Sequence, residues 1–99
     1  MALKSISILS TGIIAGPDRE VKTTKNPGQG GPDQVQWRRE SGDTKQYTVR
    51  FARSPFQAGA EDIEVPPGGP RTVTQDPGRY KYSVLTDGRP TDDPDVIIE

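Results

Sequence analysis

The sequence predicts an all-β chain, an antiparallel Greek-key β-sandwich of about seven short strands with at most one short helix. Apolar residues recur at every second position, as in Tyr47, Val49, Phe51 and again in Tyr80, Tyr82, Val84. A helix would space them by three and four. Breakers are frequent, with 11 Gly and 10 Pro among 99 residues, and they fall between the apolar stretches. A chain of this length suits one domain over 1–99 with a single core.

The first strand is centred on Ile6 and Ile8, after which Gly12 permits a kink and Ile13 and Ile14 resume the strand. Lys4 ahead of this apolar stretch has the rough order of a signal peptide, but Ser5, Ser7, Ser10 and Thr11 break the run that such a segment needs. The cytoplasm is therefore the default compartment. A polar segment with Pro17, Asp18, Val21 and Lys22 forms a second short strand. Residues 26–33, Asn-Pro-Gly-Gln-Gly-Gly-Pro-Asp, hold too many breakers for regular structure and read as a mobile surface loop.

Val35 and Trp37 face inward on the next strand, with Gln34, Gln36 and Arg38 outward. Glu40-Ser41-Gly42-Asp43 is a turn. Tyr47, Val49 and Phe51 then resume the inward face, and Trp37, the only tryptophan, stands at the centre of the core. Residues 52–60 hold the one plausible helical turn, kept short by Pro55 and Gly59. Ile63 and Val65 mark another strand, and Thr72-Val73-Thr74 a further one. Asp76-Pro77-Gly78 turns into the strand of Tyr80, Tyr82 and Val84, Asp87-Gly88 turns again, and Val96-Ile97-Ile98 closes the chain.

The aromatic strand at Gln34 to Trp37, the Val49-Arg50-Phe51 strand and the Pro77-Gly78-Arg79-Tyr80-Lys81-Tyr82 run stand in the order found in cupredoxins, which this chain resembles over residues 30–99. The resemblance implies a copper site and says where its ligands would stand. The first His falls on Tyr47, the Cys on Ser83 or Val84, and the second His and the Met in the loop 85–91. None of these residue types is present there. The chain has no Cys, no His, and one Met, which is Met1. A blue copper site needs thiolate sulfur and two imidazoles. The sequence therefore describes a metal-free relative with no cofactor, and copper electron transfer is excluded.

Other chemistry finds little support. Without Cys or His, a hydrolytic triad, an imidazole base and a thiolate zinc site are all closed off. Four carboxylates, Asp87, Asp92, Asp93 and Asp95, offer oxygen ligands for calcium but lack EF-hand spacing, and Asp-Gly and Asp-Pro are ordinary turn formers. Gly28-Gln29-Gly30-Gly31 precedes no helix, so it is no phosphate cradle. Arg38, Arg39, Arg50 and Arg53 belong to a chain of 13 basic and 14 acidic residues, a balance that argues against nucleic-acid or membrane partners.

The expected role is a small, non-catalytic module that binds a protein partner which the sequence does not identify. A calcium- or small-ligand-binding module and a self-assembling structural subunit are the alternatives, and the oligomeric state stays open. Candidate binding residues are Tyr47, Phe56, Ser83, Thr86, Asp87 and Asp92. Pro55 and Phe56 and the Asp87–Asp92 tip would meet a macromolecule, and Tyr47, Ser83 and Thr86 would line a ligand site where copper stands in the resembled family.

Overall fold

The computed structural model describes residues 2–26, 28 and 30–99. Of the 26–33 loop, Pro27 and Gln29 lie outside the described residues. Nine strands are described: β1 (Leu3–Ile8), β2 (Glu20–Thr23), β3 (Gln34–Arg39), β4 (Tyr47–Phe51), β5 (Glu61–Val65), β6 (Arg71–Thr72), β7 (Gly78–Thr86), β8 (Arg89–Asp92) and β9 (Asp95–Ile98). A 3-10 turn lies at Gly16–Asp18.

The strands form two layers. A small sheet runs β1-β3-β6, and a larger one runs β2-β9-β7-β4-β5 with β8 alongside β7. The centre of the larger sheet is antiparallel, but β1 with β3 and β2 with β9 pair in parallel. The cause is the connection: the chain crosses to the other layer at β2 before returning as β3, so β1 and β3 can run the same way. Period-two alternation holds in each long strand, with Ile6, Ile8, Val35, Trp37, Val49, Phe51, Ile63, Val65, Tyr80, Tyr82 and Val84 buried between the layers.

Trp37 is the hub, as its size and position suggest. Its ring meets Tyr82, Phe56 and Phe51 edge-on at centroid distances of 5.5, 6.0 and 6.1 Å. Such contacts add roughly 0.5–1.5 kcal/mol each beyond area burial. Gly68 makes the turn after β5 possible. Its φ of +80° suits glycine, and a Cβ there would run into the Trp37 carbonyl.

Three local expectations are corrected. Ile13 and Ile14 do not resume β1. The chain reverses at Gly12, Leu9 N donates to the Ile13 carbonyl at 2.9 Å, and Ile14 bridges back antiparallel onto Ile8. Residues 52–60 form bends and no helical turn, because Ser54 Oγ takes the Phe56 amide and Ser54 N reaches the Gly59 carbonyl, folding the segment on itself. Residues 85–91 are not an open loop. Asp87 and Gly88, at φ of 49° and 85°, close a two-residue hairpin between β7 and β8.

Candidate functional site

β4 begins and β7 ends at the same end of the sandwich, and their register sets Tyr47 opposite Thr86 and Val49 opposite Val84. Of the residues the resemblance assigns to copper ligation, Tyr47, Val84 and Thr86 therefore come together. Ser83 does not. Strand alternation turns it to the outer face of the sheet, opposite Arg50, while Tyr82 and Val84 point inward.

The cross-strand end is closed by oxygen donors and acceptors. Tyr47 OH donates to Asp43 Oδ2 at 2.5 Å, and the other Asp43 oxygen accepts the Lys45 amide at 3.0 Å. The Tyr47 hydrogen bond, then the Lys45 amide, hold the Asp43 carboxyl below its usual pKa. Burial, followed by the bond to Asp43, drives the Tyr47 phenol above its ordinary value, so it remains a neutral donor. Beside it, Thr91 Oγ1 donates to the Gly12 carbonyl at 2.7 Å and therefore accepts from Thr86 Oγ1 at 2.9 Å. Gly12 sits so close that a Cβ would overlap both threonine hydroxyls.

Two loops are fastened over this end. Ser10 N donates to Glu40 Oε1 at 2.7 Å, and Lys45 Nζ donates to the Ser10 carbonyl at 2.9 Å. Asp87 N donates to the Gln46 carbonyl at 3.0 Å, while its own side chain stays exposed in the hairpin turn. Sequence reasoning missed Gly12, Asp43, Lys45 and Thr91 as members of this cluster. Gly12 and Asp43 carried turn signals, but no local signal tells a turn which strand end it will cover.

Asp92 lies on another face of the same end. Its carboxylate forms a two-pronged ion pair with Arg19 and accepts the amides of Ile14 and Asp93, each at 2.9 Å. Burial pulls its pKa up, and Arg19 with the two amides outweighs that, leaving the carboxyl below its usual value. Asp95 pairs with Arg79 at 2.9 Å and stands 3.7 Å from Lys81. Asp87, Asp92, Asp93 and Asp95 thus do not converge, and among the described residues no group of three or more His, Cys, Asp or Glu is placed to hold a metal ion.

Phe56 and Pro55 are placed in the core and not on a contact surface. Phe56 is 8% exposed and packs edge-on against Trp37 and Phe51, because the folded-back 52–60 segment tucks it under the sandwich end. Ser83 instead lines an open groove of about 490 Å3 on the outer face of β4 and β7, beside Arg50, Ala52, Asp62 and Lys81. Arg50 and Asp62 form a two-point pair at 3.0 and 3.1 Å along one side of it.

No family model matches the sequence, and no curated protein matches it either. Solved structures do match in three dimensions. A reduced Cu(I) form of an amicyanin variant aligns with a TM-score of 0.63 at 18% identity, covering 97% of this chain and 81% of that one. An oxidized form of another amicyanin variant gives 0.62 at 17% identity over the same shares. Likeness at that identity speaks for architecture alone, and it shows that the chain has a cupredoxin-like fold.

Proposed function

We infer that this chain is a non-catalytic binding module that uses a cupredoxin-like framework without copper electron transfer. The observation that carries the inference is the make-up of the Tyr47–Thr86 end. Its donors are a phenol, two hydroxyls and a carboxylate, already bonded to one another and to backbone. Such a set does not fit a blue copper ion, which takes thiolate and imidazole. For acid–base catalysis, the Asp43 and Asp92 carboxylates are already committed to Tyr47 and to Arg19, while Asp87 lies exposed in the hairpin turn.

The test is a titration of the purified chain with Cu(I) and Cu(II), followed by metal analysis after dialysis. The expected result is no stoichiometric copper and no thiolate-to-copper absorption in the visible range. One copper per chain with a reversible one-electron couple would overturn the inference. A small-ligand reading is favoured by the groove at Ser83, whose volume falls within the range of roughly 300–1,000 Å3 common for ligand pockets. The calcium reading loses support, because its carboxylates are spread over separate ion pairs.

A further inference from the structure

The seam between the edges of β1 and β2 is an open groove of about 470 Å3, walled by Leu3, Lys4, Ser5, Val21 and Lys22 among others. Backbone hydrogen bonding fixes which groups of β1 face it. Gln34 N donates to the Ala2 carbonyl at 2.8 Å, so the even-numbered residues of β1 turn their peptide groups toward β3. The odd-numbered residues turn theirs away. Ser7 confirms the phase, since its amide donates to Asp18 Oδ2 at 2.9 Å and its carbonyl accepts Ala15 N at 3.0 Å.

Asp18 and Ala15 thus close the Ser7 end of the edge. Leu3 and Ser5 are left with two N–H and two C=O groups directed into the seam at ladder spacing, without a partner among the described residues. Leu3 is also 52% exposed, the largest exposure of any large apolar side chain described. The seam's charges complete the pattern. Asp18 is occupied by the Ser7 amide and Glu20 pairs with Arg79 at 3.0 Å, whereas Lys4 and Lys22 form no ion pair among the described residues.

We propose that an extended acidic segment of a partner protein adds as a strand to the free edge of β1, with its carboxylates beside Lys4 and Lys22. The backbone of Leu3 and Ser5 supplies affinity, as in other strand additions, and the two ammonium groups choose the sign of charge. A branched apolar residue on the opposite face of the added strand covers Leu3. A second copy of this chain is a poorer occupant. Antiparallel pairing of β1 with itself about Lys4 sets two like charges directly opposite. This rests on the binding-module reading and adds the surface and the chemistry of the partner.

The probe is a short peptide of alternating valine and aspartate, compared with a valine–lysine peptide of equal length, followed by amide chemical shifts and hydrogen exchange. Saturable binding of the acidic peptide is expected, with shifts and slowed exchange at the Leu3 and Ser5 amides. Ser5→Pro removes one seam-facing N–H and leaves the β1–β3 ladder whole, so it should abolish binding while the amide spectrum stays folded. Lys4→Glu should weaken the acidic peptide about tenfold, or ~1.4 kcal/mol, and admit the basic one. Equal binding of both peptides, binding that survives Ser5→Pro, no binding of the acidic peptide, or a β1-dependent dimer of the free chain would each overturn the proposal. The copper titration reads the underlying module assignment separately.

Discussion

Trp37 Nε1 donates to the Tyr82 hydroxyl at 3.2 Å in the interior, one hydrogen bond that ties β3 of the small sheet to β7 of the large one. Both side chains are buried, so neither polar group has water to fall back on. Burial accordingly holds the Tyr82 phenol above its ordinary pKa despite the opposing bond from Trp37. Tyr82→Phe should keep the ring packing and strand the indole N–H, lowering stability by about 1–3 kcal/mol. Urea unfolding followed by Trp37 fluorescence measures this directly, and an unchanged midpoint would remove the bond from any account of stability.

The same phenols make alkaline pH a second probe. Tyr47 and Tyr82 are both raised above the usual tyrosine value in the folded chain. An acid whose folded pKa is raised contributes stability that is complete below its unfolded pKa of about 10, and that is lost as pH climbs beyond it. Two of the three tyrosines should therefore resist ionisation in a spectrophotometric titration until the protein unfolds. Tyr47→Phe should remove part of that alkaline loss. Three tyrosines titrating together near the usual value, with the fold intact, would contradict the burial argument.

Asp92, held by Arg19, contributes to the acid arm alongside Asp43 and Asp62, whose carboxyls also lie below their usual pKa. The Asp92 carboxyl lies below its usual pKa, so its contribution is present above the unfolded value of about 3.9 and disappears as pH falls through the folded one. Asp92→Asn should cost about 2 kcal/mol at neutral pH, since charge-assisted bonds to Arg19 and to the Ile14 and Asp93 amides are weakened. The variant should also lose stability less steeply than the parent below pH 4. Parallel acid arms for the two proteins would assign the acid sensitivity elsewhere.

Gly12 and Gly42 provide a matched pair. Their φ angles are +82° and +85°, so alanine pays the same left-handed backbone cost of roughly 1–2 kcal/mol at either site. Only Gly12 also confronts Thr86 and Thr91, whereas nothing lies near Gly42. Gly12→Ala should destabilise the chain more than Gly42→Ala, and should separate the Thr86–Thr91–Gly12 hydroxyl chain as seen by hydroxyl or amide protection. Equal melting temperatures for the two variants would show that the strand end relaxes freely.

Alternation alone determined the inward and outward faces of β3, β4 and β7, because period two is a property of the strand itself and needs no knowledge of neighbours. It likewise placed Trp37 and Phe51 in the core, and the absence of Cys and His limited the chemistry before any coordinate was known. Tertiary structure alone decided that β1 and β3 run parallel, that Phe56 is buried, that Tyr47 meets Thr86, and that Asp92 belongs to Arg19. Each of those outcomes joins residues far apart in the chain. Local propensity carries no information about which loop will close over which strand end, since that is settled by the packing of two sheets whose partners are chosen together.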